Sequence, residues 1–229
     1  MLVTNGPLSL VGPLRTWAIV VAAGTGTRFG GPKQFAKLGN MSVLSRSLRT
    51  AVASVDGVVV VAAPELFAQT CAEVSMIAPD AVVVSGGATR ADSVRNGLAA
   101  VPDDVAIVLV HDAARPFARR SLYAEVIAAV MAGADAAVPA IAVVDTIRSL
   151  DGGTVSRDRL VAVQTPQGFR AVALRAAHEG SPQATDDATL VEAIGGSVVV
   201  VPGATTNLKL TTPIDLLIAE ALLGHEETP

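Results

Sequence analysis

Val20-Val21-Ala22-Ala23-Gly24-Thr25-Gly26-Thr27-Arg28-Phe29-Gly30-Gly31-Pro32-Lys33 is the stretch on which the fold turns. The apolar run from Trp17 to Ala22 reads as a strand buried in a parallel sheet. It stops at Gly24. Gly24, Gly26, Gly30 and Gly31 then follow, with Arg28 and Lys33 threaded among them. Glycine lets the backbone bend sharply and bring its N–H groups close to a ligand. Interleaved cations suit a ligand with several negative charges. A triphosphate answers both requirements.

Two other readings compete. A plain strand-to-helix turn also uses glycine. The dinucleotide fingerprint is the second, and the spacing here, G-x-G-x-x-x-G, resembles a variant of it. Gly31-Pro32 argues against that fingerprint, because a helix cannot run smoothly out of the turn. So does a missing acid. One is expected about 20 residues further on, at the end of the second strand. That strand ends near Ala62-Ala63-Pro64, and Glu65 comes too late.

Outward from the turn, strand and helix patterns alternate. Val43–Ala53 has helical spacing, Val58–Ala62 is a second strand, and Pro64 opens a helix to Ile77. Ala81–Val84 is a third strand ending at Ser85-Gly86-Gly87, and Arg90–Ala100 is helical. Val105–Val110 is a fourth strand ending at His111-Asp112, and Ser121 caps a helix to Met131. This alternation predicts a mostly parallel, twisted sheet with helices on both faces: a Rossmann-like three-layer αβα fold. The pattern breaks between Val138 and Phe169, where Val143–Leu150, Asp151-Gly152 and Thr154 onward read as a β-hairpin with a tight turn. A lone hairpin is barely stable in water. Residues 139–163 are therefore read as a projecting arm that pairs with a second subunit, the alternative being an excursion packed on its own sheet. Thr185 caps a helix to Ile194, Ser197–Val201 and Asn207–Leu210 are strands, and Pro213 opens the last helix, to Leu223.

At 229 residues, one domain with a full core is expected, spanning 16–225. Aromatic residues are only 3 %, which suits Val-rich strands under Ala-rich helices. A net charge of −4 argues against a general nucleic-acid or membrane surface, so any basic site must be a local concentration. Cys71 stands alone, which rules out an internal disulfide. No apolar run reaches the roughly 18 residues a bilayer span needs. The first fifteen residues, with Gly6, Pro7, Gly12 and Pro13, read as a disordered tail rather than a signal peptide, and the acidic end at Glu226-Glu227 as frayed. The chain is expected in the cytoplasm.

Open α/β sheets bind ligands beyond the carboxyl ends of their strands. Strand one delivers Gly24–Lys33 there, strand three Gly86-Gly87 with Arg90, Asp92 and Ser93, and strand four His111 to Pro116. Neighbouring strand residues face opposite sides, so His111 is read as structural and Asp112 as facing the site. Arg115, held extended before Pro116, is placed to reach a phosphate. His178 and His225 lack metal-ligand company and read as surface residues; Asp186-Asp187 read as partners of a helix dipole.

Ala22-Ala23-Gly-x-Gly-x-Arg28, Pro32-Lys33-Gln34, Gly86-Gly87-x-x-Arg90-x-Asp92-Ser93-Val94 and His111-Asp112-Ala113-Ala114-Arg115-Pro116 are followed by four further motifs. These are Asp145-Thr146-Ile147, Thr165-Pro166-Gln167, Thr185-Asp186-Asp187-Ala188 and Asn207-x-Lys209. In this order, from Trp17 to Leu223, they resemble the 2-C-methyl-D-erythritol 4-phosphate cytidylyltransferases of the non-mevalonate isoprenoid pathway. The sister ribitol-phosphate cytidylyltransferases share much of the series, which leaves the acceptor open. The resemblance implies transfer of CMP from CTP to an alcohol phosphate. It implies that Arg28, Lys33, Arg157 and Lys209 are catalytic. It assigns Ala22, Ala23, Gly24, Gly26, Gly87, Ala88, Ser93 and Asp112 to the nucleotide. Asp112, Arg115, Thr146, Arg157, Thr165 and Thr185 go to the acceptor, with Arg159 as the neighbour that could replace Arg157. The arm would complete the site of a homodimer partner, and Mg²⁺ would be held by CTP phosphates, with no dedicated protein ligands. An NAD(P)-dependent oxidoreductase, the rival class, would need a ribose-binding acid and a hydride-transfer residue, and neither is visible.

Overall fold

The computed structural model describes residues 14–226. The first thirteen residues of the expected tail and the acidic end beyond Glu226 lie outside them, as does the side chain of His225. Within the described part, Arg15 is already tied down, its guanidinium 2.5 Å from Asp104. The elements run β1 (Thr16–Ala22), β2 (Lys37–Leu38), β3 (Met41–Ser42), α1 (Val43–Val52), β4 (Gly57–Ala62), α2 (Phe67–Ile77), β5 (Val82–Ser85), α3 (Arg90–Ala99) and β6 (Ile107–Asp112). They continue with α4 (Arg120–Met131), β7 (Ala136–Ala142), β8 (Ile147–Arg148), β9 (Thr154–Val155), β10 (Val161–Val163), β11 (Gln167–Arg170), α5 (Ala171–Ala177), α6 (Asp187–Ala193), β12 (Val198–Pro202) and α7 (Pro213–Glu226).

The main sheet has the order β10-β7-β11-β6-β1-β4-β5, with β12 also on β7. Strands β4, β1, β6 and β5 are parallel along this path, and β12 is parallel to β7, whereas β11 and β10 run antiparallel to their neighbours. Period-two alternation divides the strands between two cores. Ala18, Val20, Val60 and Leu109 face Leu44 and Leu48 of α1, Val74 of α2 and Val126 of α4. Ile19, Val59, Val61 and Val108 face Val94 and Leu98 of α3, Leu174 of α5 and Val191 of α6. The result is the three-layer αβα sandwich with a mostly parallel sheet that the alternation predicted. Each buried Leu or Val contributes about 1.5–3 kcal/mol over an exposed one. A smaller cluster, Leu38, Val43, Phe117, Leu210, Ala219 and Leu223, pins α7 across the site's edge. No helix among the described residues is long and apolar enough to cross a membrane.

Several details differ from the sequence reading. Strand β6 extends through His111-Asp112 rather than stopping at Val110. Ser121 sits inside the first turn of α4, whose cap position is Arg119. Thr185 does not cap α6: Asp186 does, its carboxylate accepting from Thr189 N–H at 3.0 Å, because an anion satisfies free N–H groups better than a hydroxyl. Asn207–Leu210 forms no strand. The arm is shorter than 139–163, since β7 and β10 at its ends pair with each other in the main sheet, Val163 opposite Ala140. Only the two-residue strands β8 and β9 stand off, joined through Gly152 and Gly153, both at positive φ. Val144 and Leu150 are largely exposed along this segment.

Candidate active site

The carboxyl ends of β1, β5 and β6 open into a cleft of about 320 Å³. Its walls are the residues after β1, the turn before α3, and the end of β6. The glycine turn is built tightly. Gly26 has φ +67°, and a Cβ there would stand 1.9 Å from the Gly31 carbonyl oxygen, so no other residue fits without moving the loop. The turn places Arg28 in a short 3₁₀ turn and Lys33 at the start of another. A second fixed turn faces it. Ser93 Oγ accepts from Gly87 N–H at 3.1 Å and donates to the Thr89 carbonyl at 3.0 Å, while Thr89 and Asp92 form a reciprocal capping box on α3.

Lys209 reaches the cleft on a segment with no ladder of its own. Buried amides hold it instead. Gln164 Nε2 donates to the Ala204 carbonyl at 2.8 Å, Gln164 Oε1 accepts from Ala204 N–H at 3.1 Å, and Asn207 Nδ2 donates to the Thr165 carbonyl at 3.0 Å. Leu210 N–H bonds to the Ala114 carbonyl at 2.9 Å, and Lys33 Nζ donates to the Leu210 carbonyl at 2.7 Å. Two lysines from opposite ends of the chain are thereby drawn to one rim. Burial, and after it the charge of Lys209, lowers the pKa of Lys33 from its ordinary value.

Asp112 is the carboxylate between these cations. Its Oδ2 lies 2.7 Å from Lys209 Nζ and its Oδ1 3.6 Å from Arg90 Nε. Burial opposes its charge, yet Lys209 and Arg90 hold it well below the usual carboxylate range. His111 points the other way, as the strand alternation requires. It is fully buried, tilted against Tyr123, and shares a 3.1 Å hydrogen bond through Nδ1 with the Thr165 hydroxyl. Burial depresses its pKa to about 4, so it is neutral near pH 7.

Of the residues assigned from sequence, Ala22, Ala23, Gly24, Lys33, Gly87, Ala88, Ser93, Asp112 and Lys209 line this cleft. Arg28 is exposed on the loop beside it, close enough for its charge to act on Lys33. Gly26 shapes the turn from behind. Arg115 does not face the cleft: its guanidinium donates to the Asn207 carbonyl at 2.8 Å and to the Val163 carbonyl at 3.4 Å, bracing the Lys209 segment. Thr165 likewise turns inward, its hydroxyl accepting from Asp112 N–H at 3.0 Å beside a cis Thr165–Pro166 bond. Thr185 is exposed just before the α6 cap. Thr146 and Arg157 lie on the arm, away from the cleft of their own chain. Arg157 donates to the Val144 carbonyl and lines a separate groove with Ile141 and Leu160.

The sequence reading brought Arg90 to this edge but gave it no role in the site, and gave none to Asp187 or His178. Arg90 lines the cleft, and its Nη1 donates to Asp187 Oδ2 at 2.7 Å. Asp187 stands in the first turn of α6, as a dipole partner would, but it is also buried, and His178 is buried against it rather than exposed. One signal was available: Arg90 is the first residue of a helix, where a cation opposes the macrodipole unless an anion meets it.

The family model for 2-C-methyl-D-erythritol 4-phosphate cytidylyltransferase (IspD) matches residues 16–225. A cytidylyltransferase of that name from Frankia casuarinae is 46 % identical over 92 % of this chain and 82 % of its own length. The crystal structure of the Thermus thermophilus enzyme of the same name superposes with a TM-score of 0.76 at 36 % identity, covering 90 % of this chain and 98 % of that one. A 4-diphosphocytidyl-2C-methyl-D-erythritol synthase from Anaerococcus prevotii gives 0.81 at 29 % identity, over 92 % and 99 %. The match thus runs from β1 to α7 and includes both lysine-bearing ends of the cleft, and the chain belongs to the 2-C-methyl-D-erythritol 4-phosphate cytidylyltransferase family.

Proposed function

We propose that the chain carries out its family's reaction, transfer of CMP from CTP to 2-C-methyl-D-erythritol 4-phosphate, by charge neutralisation and alignment alone. A phosphate monoester has its second pKa near 6, so the acceptor arrives already ionised. Its oxygen attacks the α-phosphorus of CTP in line. The bond from that phosphorus to the bridging oxygen breaks, and pyrophosphate leaves with the electron pair. No general base is required, which agrees with a histidine that is buried and turned away. What opposes reaction is repulsion between an anion and a polyanion. Lys33 and Lys209 on one rim, with Arg28 beside them, are suited to that task. The glycine turns at Gly24 and Gly87 offer close backbone approach for the nucleotide.

Mg²⁺ fits this site as a guest of the phosphates. Asp112 is the one carboxylate lining the cleft, and among the described residues no group of three His, Cys, Asp or Glu gathers to hold an ion. The two oxygens of Asp112 are already met by Lys209 and Arg90, so the ion would be held mainly by the phosphate oxygens of CTP. When bound, the ion neutralises phosphate charge.

The projecting arm carries the second half of the reading. Thr146 and Arg157 are exposed at the two ends of the β8–β9 hairpin, whose residues join neither main core. We assign them to the acceptor in the cleft of a second copy, which makes the working unit a homodimer. A cytoplasmic location suits an enzyme with one cysteine.

The observation that carries the function is the convergence of Lys33 and Lys209 on Asp112 beside two glycine turns. Pyrophosphate release tests it. Release is expected with CTP and methylerythritol phosphate, and much less with ribitol 5-phosphate or with ATP; equal rates with both acceptors would overturn the acceptor assignment.

A further inference from the structure

A line of alternating charge runs inward from the cleft and ends on groups that do not line it. Lys209 meets Asp112, Asp112 meets Arg90, Arg90 Nη1 lies 2.7 Å from Asp187 Oδ2, and His178 Nε2 lies 3.0 Å from Asp187 Oδ1. Asp187 is 1 % exposed and His178 5 %, and neither lines the cleft. The other ring nitrogen of His178 is buried without a hydrogen-bond partner among the described residues, so the ring's polar contact is spent on Asp187.

The placement is costly by itself. Arg90 opens α3, where the positive helix end repels it. Asp187 opens α6, where the helix end welcomes an anion. Burial opposes the charge of both. The His178 hydrogen bond and Arg90 nevertheless keep Asp187 ionised, and Asp187, with help from Asp112, keeps Arg90 charged. A buried ion pair is weak support for stability, because apolar replacements often serve as well. What Asp187 does uniquely is hold one end of the Arg90 guanidinium. Released from it, Arg90 would turn fully to Asp112 and compete with Lys209 for that carboxylate.

We propose, on the strength of the transfer reaction above, that Asp187 and His178 are positioning residues: they anchor Arg90 so that Asp112 divides its two oxygens between Arg90 and Lys209. His178 acts on Asp187, Asp187 on Arg90, and Arg90 on the cleft.

The test compares His178→Leu, His178→Gln and Asp187→Asn in the full-length enzyme, by kcat, KM for CTP and melting temperature. His178→Leu removes the donor to a buried charge. It is expected to lower kcat about tenfold, the factor a lost hydrogen bond of that kind supports, with KM for CTP changed less than about threefold. His178→Gln restores a donor and is expected to recover most of the rate. Asp187→Asn frees Arg90 directly and is expected to lose more than His178→Leu; if the leucine variant does not fold, this one decides. Parent-like kcat in folded variants that only melt earlier would overturn the role, as would equal impairment of the Gln and Leu variants. A parent enzyme that releases no pyrophosphate from CTP would instead overturn the functional reading and this role with it.

Discussion

Lys33→Ala separates catalysis from folding most cleanly. In the structure Lys33 Nζ makes one hydrogen bond, to the Leu210 carbonyl at 2.7 Å, and sits near Lys209 and Arg28. Losing a hydrogen bond to a charged group costs about 1.5–3 kcal/mol. Removing the lysine also ends its partial burial and its repulsion from Lys209, and the lowered pKa shows that these outweigh its attraction to Asp112. The two effects oppose each other, so net stability should change by about 1 kcal/mol or less, about 2–4 °C in melting temperature for a chain this size. Catalysis has no such offset. A positioned cation aimed at transition-state charge is worth about 3 kcal/mol, or about 100-fold in kcat. The assay is pyrophosphate release at saturating CTP and acceptor, beside a thermal melt. A second readout uses pH. The parent's kcat should fall on the alkaline side earlier than a lysine of ordinary pKa 10.5 would dictate, and Lys33→Arg, which does not deprotonate, should move that limb upward. Full-rate Lys33→Ala, or an alkaline limb unmoved by arginine, would refute the assignment.

Two further tests address the frame around the site. His111, neutral in the fold with its pKa depressed from 6.5 to about 4, binds a proton more readily unfolded, so stability is lost as pH falls through that window. The full effect is about 3 kcal/mol, to be read from urea midpoints between pH 7 and pH 4. A stability independent of pH there, in the parent, would show that His111 protonates in place. Deleting residues 144–155 should leave a folded, monomeric protein without activity, because the deleted hairpin contributes nothing to either main core. Sedimentation and the same release assay check this, and an active monomer would refute the shared-site arm.

How far the sequence could be read follows from where each signal lives. The glycine turn and strands β1, β4, β5 and β6 were legible because period-two and helical patterns are local, and Gly24 to Lys33 carry their chemistry in one run; the two-residue strands β2 and β3 are too short to show such a pattern. Strands β7 and β11 were not legible either. β7 is Ala-rich and interrupted by Pro139, so its β signal is faint, and β11 gains its meaning only by pairing antiparallel with β6. Asn207–Leu210 alternates like a strand, yet its N–H groups donate to the Ala204 and Ala114 carbonyls and its own carbonyls accept from the Arg115 and Lys33 side chains rather than from a neighbouring strand. His178 and Asp187 lie nine residues apart around a loop, and only the docking of α5 and α6 shows that they meet underground.

The cleft concentrates lysine and arginine against one carboxylate in a chain whose net charge is −4. A polyanion approaching this net-negative chain is therefore attracted locally, at the cleft. Such a field guides encounters and fades as ionic strength rises. Added salt should thus slow the capture of nucleotide more than the chemistry that follows it, and a cell's ionic composition becomes one of the controls on how fast this enzyme fills.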